Sequence, residues 1–277
     1  MELLNKVCLV AGASGTIGSA IARRFHQKGA DLALSYCNSK LDRLCEELRG
    51  GPGRVSTYAF DVADWEQVEE ATRRVEADFG RIDVLVNCTG IIGPIGPLET
   101  LGMRAWARAV QINLLGSVYL ARAVLPGMKK RGQGKMIFFS GGGAAYGRPY
   151  FTAYSSSKVA LVRFAESLAQ ELTETNIQVN AVAPGPVESR MWDEMRMAGP
   201  AGGPKLIEEL KRIAETGGVS PERATELAMF LASQRSDRLS GRLLSALWDD
   251  WEHLEDRMEQ IASSEAWTLR RVPLDQA

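Results

Sequence analysis

The chain has 277 residues, 33 basic against 34 acidic, and 45% hydrophobic residues. That length can bury one large core, and balanced charge with no block of one sign argues against nucleic acid or an acidic membrane as partner. No run approaches the roughly 20 apolar residues of a membrane span, and scattered Cys8, Cys37, Cys45 and Cys88 with only His26 and His253 argue against a metal site and for a reducing, cytoplasmic setting.

Lys6 to Ala11 reads as a short buried strand. It runs into Gly12-Ala-Ser-Gly15-Thr-Ile-Gly18 and a helical run from Ser19 to Lys28. Strand, glycine loop and helix in that order form the context of a dinucleotide fingerprint. Glycine lets the backbone approach a pyrophosphate, whose charge rests at the helix N-terminus. The competing reading is a tight turn in which Gly18 only eases helix–strand packing. Asp31 to Tyr36 is a second strand. An acid at its end would bond a free ribose 2′-hydroxyl and repel a 2′-phosphate. The chain instead has Cys37-Asn38-Ser39-Lys40 there. Asn38, Ser39 and Lys40 suit a phosphate; a plain polar turn before a helix at Leu41 to Leu48 is the alternative.

Arg54 to Phe60 is a third strand, ending at Asp61-Val62, and Asp64 is an N-cap for a helix from Trp65 to Phe79. Ile82 to Val86 leads into Asn87-Cys88-Thr89-Gly90. A long helix spans about Arg104 to Arg131 with Asn113 inside it, where asparagine needs a special reason. Lys135 to Phe139 precedes Ser140-Gly-Gly-Gly143. Ile177 to Ala181 precedes Pro184-Gly-Pro-Val-Glu-Ser189. Residues 190–218 are rich in Met, Gly and Pro, with a helical patch at Lys205 to Glu215. A helix from Pro221 to Ser233 and a strand from Leu243 to Leu247 follow. Strands alternating with helices predict a single α/β domain, a doubly wound parallel seven-stranded sheet of the Rossmann kind over 1–247. Residues 190–218 are read as a mobile substrate lid, and 248–277 as a C-terminal extension.

Tyr154-Ser-Ser-Ser-Lys158 opens a helix that runs to about Thr173. Spacing of four puts both side chains on one face. A free phenol ionises near about pH 10, and an ammonium one turn away favours the phenolate. Such a pair can move a proton to or from a carbinol oxygen near neutral pH.

Taken together, the glycine loop, Asp61-Val62, Asn87-Cys-Thr-Gly90, Asn113, Tyr154-x-x-x-Lys158 and Pro184-Gly185 resemble the short-chain dehydrogenase/reductase family, over roughly residues 5–247. The resemblance implies an NAD(P)-dependent oxidoreductase acting on a small ketone or secondary alcohol. It implies that Gly12, Ser14, Gly15, Thr16 and Ile17 take the pyrophosphate and that Asp61 and Val62 take the adenine. Asn38 and Ser39 would lie at the ribose, and Asn87 and Gly90 would line the groove. Val187 and Ser189, after Pro184 and Gly185, would hold the carboxamide. Tyr154 would be the general acid/base. Lys158 would bind the nicotinamide ribose and lower the Tyr154 pKa, and Asn113 would order a relay water. No acid ends the second strand, which favours NADP over NAD.

The chain departs from that pattern in its glycine loop, where Gly15 and Thr16 replace the usual spacing, and at Cys88 and Thr89. The family's catalytic Ser usually lies thirteen residues before the Tyr, and here that position is Gly141. Ser140 serves only if the glycine run bulges, since one residue of slip on a strand turns a side chain to the other face. Two alternatives follow: a dinucleotide-binding protein with little turnover, or a dehydratase or epimerase. Apolar Ile91, Tyr146, Phe151, Met191, Trp192 and Met195 are candidates for the substrate pocket. Small and apolar residues on several helix faces, among them Ala105, Ala109, Ala160, Leu161, Phe164 and Leu168, predict a homotetramer, with a homodimer second. Trp248 and Trp251, three apart, are expected to share a face, and the segment from Trp248 to about Met258 to pack on the catalytic domain or a partner subunit and shape substrate entry.

Overall fold

The computed structural model describes residues 2–272. Seven parallel strands form one sheet in the order β3-β2-β1-β4-β5-β6-β7. They are β1 Val7–Ala11, β2 Asp31–Tyr36, β3 Val55–Ala59, β4 Val84–Asn87, β5 Gln133–Phe139, β6 Asn176–Ala183 and β7 Leu243–Ser245. Every residue of β1 and β4 is buried, as expected of strands covered by helices on both faces. The helices are α1 Thr16–Gln27, α2 Asp42–Glu47, α3 Trp65–Phe79, α4 Met103–Val110, α5 Gly116–Arg131, α6 Thr152–Glu171, α7 Arg190–Ala198, α8 Gly203–Thr216, α9 Glu222–Ala232 and α10 Met258–Ala262.

One core layer packs Ile21 and Phe25 of α1 and Leu227 and Phe230 of α9 on the sheet. The other packs Val68 and Val75 of α3, Leu120 and Val124 of α5, and Leu161 and Ala165 of α6. Asp64 caps α3 as expected, accepting from the Gln67 amide at 3.1 Å. The strand order reverses between β1 and β4, which are paired in parallel. That reversal opens a crevice at their carboxyl ends, where ligands of such sheets bind.

Several expectations need correction. The run Met103–Arg131 is long and apolar enough by composition to cross a membrane. Here it carries buried Leu120, Val124 and Met128 against the sheet. It is not one regular helix either, because Gln111–Leu115 forms a π-helical turn between α4 and α5. Residues 190–218 form two helices, α7 and α8, where a single helical patch was expected. Trp248 and Trp251 do not share a face. Trp248 sits in a turn and is 84% exposed. Trp251 is buried, donates from its indole Nε1 to the Ala246 carbonyl at 3.2 Å, and carries the Arg223 guanidinium 5.0 Å above its ring.

The extension is packed on the domain. Leu254 and Ile261 join the core layer of α1 and α9. Arg242 donates to the carbonyls of Ile261 at 2.7 Å, Ser264 at 2.9 Å and Ala266 at 2.8 Å. The outer edge of β7 is covered by the same segment. The Leu243 amide donates to the Trp267 carbonyl at 2.8 Å, and the Ser245 amide to the Asp249 carboxylate at 2.6 Å. Residues of the extension beyond 272 lie outside the described part.

Candidate active site

A cleft of about 400 Å³ opens at the strand-order reversal. Gly12, Ser14, Gly15, Thr16 and Ile17 line it at the start of α1, and Asn38 and Ser39 line it after β2. Asp61 and Val62 line it after β3, Gly90 after β4, and Ser189 at the start of α7. Gly12 adopts φ +79°, which favours glycine. A Cβ on Gly18 would stand 2.3 Å from the Gly12 carbonyl oxygen, so helix and loop touch there only because residue 18 is glycine. Gly15 is the N-cap of α1 and no side chain caps that helix. Its first amides therefore remain for a ligand. A mostly backbone cradle with positive helix polarity fits the pyrophosphate of a dinucleotide.

Asn87, Pro184, Gly185 and Val187 are set back from the cleft wall. Asn87 braces its floor from below, accepting from the Thr89 amide at 3.0 Å and donating to Ser117 Oγ at 2.9 Å. The Val187 carbonyl accepts from the Trp192 indole at 2.9 Å, tying the segment after β6 to α7. Arg108 of α4 also lines the cleft and pairs with the Asp61 carboxylate. Sequence reasoning missed Arg108, because nothing local links residues 47 apart.

Deeper in, Asn113 occupies the π-helical turn, a distortion often found at functional sites. It is fully buried. Its Oδ1 accepts from the Ile91 amide at 2.9 Å, and its Nδ2 donates to the Ile91 carbonyl and to Ser157 Oγ, each at 2.9 Å. Asparagine at this position thus pins the loop after β4 to α6. Ser157 continues the chain by donating to the Tyr154 carbonyl at 2.8 Å. Lys158 donates to the Phe139 carbonyl at 2.7 Å. A Cβ on Gly90 would lie 3.2 Å from both Asn113 Oδ1 and Lys158 Nζ. Glycine at 90 thus lets the loop after β4 lie directly against both groups, which stand behind the cleft wall.

Tyr154 is 8% exposed, packed among Ile92, Phe151, Trp192, Met195 and Leu206. Burial pushes its phenol above the ordinary value, and the charge opposing this is Arg148. Burial draws the Lys158 ammonium down to about 8. The expected lowering of the Tyr154 pKa by Lys158 is thus reversed in the protein alone. The ammonium sits 5.9 Å from the ring centroid and is turned to a carbonyl, while both groups lose solvent.

The glycine run does not bring Ser140 round to the phenol. Its hydroxyl is buried and donates to the Lys158 carbonyl at 3.4 Å. At Gly141 a Cβ would fall 2.4 Å from the Tyr154 hydroxyl oxygen. Among the described residues no group hydrogen-bonds that hydroxyl. Of the expected pocket residues, Phe151, Trp192 and Met195 are buried beside Tyr154 and Met191 packs against them. Ile91 lines the cleft. Tyr146 is 79% exposed and takes no part in this cluster. Arg148 latches the cluster's rim, with its guanidinium 4.1 Å above the Phe151 ring and paired at 2.5 Å with Glu209 of α8.

The model of the short chain dehydrogenase family matches residues 6–198. The chain belongs to that family. It is 34% identical over 88% of its length to the 3-oxoacyl-[acyl-carrier-protein] reductase FabG of Thermotoga maritima, covering 97% of that protein. Among solved structures it resembles an NAD+-bound xylitol dehydrogenase, with TM-score 0.82, 28% identity, and coverage of 88% of this chain and 98% of that one. It also resembles a variant of actinorhodin polyketide ketoreductase with NADPH, with TM-score 0.77, 29% identity, and coverage of 87% and 95%. This short-chain dehydrogenase is an oxidoreductase, as are relatives named reductases and dehydrogenases.

Proposed function

We propose that the enzyme interconverts a ketone and a secondary alcohol with a nicotinamide cofactor, using Tyr154 as general acid/base. The observation that carries this is the convergence of Lys158 and Asn113 on Gly90, next to a glycine cradle at an uncapped helix N-terminus. Gly12, Ser14, Gly15, Thr16 and Ile17 would hold the pyrophosphate, Asp61 and Val62 the adenine end, and Val187 and Ser189 the carboxamide end. When bound, the nicotinamide supplies or accepts the hydride. Tyr154 gives its phenolic proton to the carbonyl oxygen in reduction and takes it back in oxidation. Lys158, drawn down to about 8, exchanges a proton near physiological pH and stabilises the phenolate when charged. Asn113 holds the loop after β4 and the helix of Tyr154 in one geometry. Trp192, Phe151 and Met195 exclude water around the phenol.

The cofactor is NADP in preference to NAD, supported by the lack of an acid at Tyr36 or Cys37. The compartment is cytoplasmic and reducing, on the cysteine pattern. The assembly is a homotetramer or, second, a homodimer, joined through the apolar groove of Val118, Leu125, Phe164 and Leu168 on α5 and α6. Light scattering tests that assembly, and a monomeric mass would refute it. A second reading, a dinucleotide-binding protein with little turnover, draws on Gly141 and on the direction of the Ser140 hydroxyl. Two measurements separate the readings: titration of cofactor fluorescence, and turnover of a ketone panel with Tyr154→Phe as control. Cofactor binding without turnover would favour the second.

A further inference from the structure

Tyr154 does not line the cleft. It is 8% exposed, enclosed in a cluster with Trp192 and Met195 of α7 and Leu206 of α8. To take the phenolic proton, a ketone oxygen must come within about 2.6–3.2 Å of it, so α7 and α8 have to move first. Residues 188–218, which carry both helices, leave and rejoin the domain at one point. Val187 and Val219 form an isolated parallel bridge, and the Val219 amide donates to the Pro186 carbonyl at 3.1 Å. The two ends still touch one residue further in, where a Cβ on Gly218 would lie 2.7 Å from the Glu188 Cβ. Two helices tied at both ends to one short bridge can swing as a unit.

Away from that base, the loop before α6 holds both helices down. The Arg148 guanidinium pairs with Glu209 of α8 at 2.5 Å, meets Met195 Sδ of α7 at 3.5 Å, and lies 4.1 Å above the Phe151 ring. One side chain thus joins α7, α8 and the residue that precedes α6. Tyr150 adds a second contact. Its ring fits against Gly203 at the start of α8, where a Cβ would fall 2.3 Å from the Tyr150 Cε2 atom. The Arg148 and Glu209 side chains are each 26% exposed, so the pair is sheltered yet within reach of water and salt. We propose that residues 188–218 form a flap hinged at Val187 and Val219 and latched by Arg148, and that release of the Arg148–Glu209 pair admits substrate to Tyr154. The inference rests on the reading of Tyr154 as general acid/base and adds how substrate reaches that group. Arg148 is thereby a positioning residue. It acts through α7 and α8 on access to the phenol, and the flap closing over bound substrate removes water from the site.

The test reads access to the phenol directly, without substrate. N-acetylimidazole acetylates accessible tyrosine hydroxyls, and fragmentation of the peptides assigns each site. In the wild type Tyr154 should react slowly and Tyr146, which is 79% exposed, quickly. Glu209→Gln and Arg148→Gln should each speed acetylation of Tyr154 by about three- to tenfold and leave Tyr146 unchanged. Arg148→Lys, which keeps the charge, should fall between them and the wild type. Hydrogen exchange in the same variants should rise over residues 190–216 and not over α4 and α5. At about 1 M salt, where charges are screened beyond about 3 Å, Tyr154 of the wild type should react faster, while Glu209→Gln should not respond. Unchanged Tyr154 reactivity in both glutamine variants, a rise in exchange shared by α4 and α5, or a wild type insensitive to salt would each overturn the inference. If Tyr154 opens as expected but neither NADPH nor NADH binds by fluorescence, the flap stands and the oxidoreductase reading fails. If a cofactor binds and ketones turn over while Tyr154 reactivity is the same in every variant, the flap alone fails.

Discussion

The Lys158 ammonium donates to the Phe139 carbonyl at 2.7 Å, reaching from α6 to the end of β5. It is 2% exposed and, among the described residues, pairs with no carboxylate. Burial against one neutral acceptor is what draws it down to about 8.

A pH dependence of stability follows. Unfolded lysine titrates near about 10.4. Below about pH 8 both states hold the proton and the full burial cost is present. Between about 8 and 10.4 the folded form releases the proton while the unfolded form keeps it, so this group's contribution rises with pH. Lys158→Met should therefore gain most in Tm over the wild type near pH 7, and the gap should narrow by about pH 10. A gap that stays constant across that range would contradict the burial argument.

Tyr154→Phe removes one hydroxyl that, among the described residues, bonds no protein group. Turnover should drop by about 10²–10⁴ while Tm moves little. Asn113→Ala should do the reverse in part. It strands the amide and carbonyl of Ile91 and frees Ser157, costing about 1–3 kcal/mol in denaturant unfolding. Equal Tm loss in both variants would mean that Tyr154 is structural.

Cofactor choice is testable at the end of β2. The wild type is expected to favour NADP in kcat/KM. Cys37→Asp places a carboxylate beside Asn38 and Ser39 in the cleft wall and should shift the ratio at least tenfold toward NAD. A wild-type preference for NAD of tenfold or more would sink the assignment.

The extension should matter for stability. Ending the chain after Leu247 removes buried Trp251, Leu254 and Ile261 and uncovers the outward amides of Leu243 and Ser245. Loss of three such side chains costs about 5 kcal/mol, or roughly 10 °C or more in Tm for a chain of this size. The bare edge of β7 invites pairing with other chains. Light scattering should then show heavier species, and an unchanged mass and Tm would show the segment to be dispensable.

Much of this protein was legible in its residues alone. Strand patterns, the Gly12–Gly18 loop, the Asp64 cap and the Tyr154–Lys158 spacing are local, set by a residue's neighbours within a few positions. They sufficed for the parallel sheet and for the main lining of the cleft. What only the tertiary structure decided are properties of groups brought together from far apart. Arg108 meets Asp61 across the cleft, and Lys158 finds the Phe139 carbonyl. Asn113 bonds Ile91 and Ser157 at once. The direction of the Tyr154 shift turned on burial by α7 and α8, an environment its own helix does not contain. Likewise Trp248 and Trp251 separated because a turn, not a helix, joins them. Side-chain spacing fixes a face only where the backbone is regular, and desolvation depends on everything that packs around a group, near or distant in the chain.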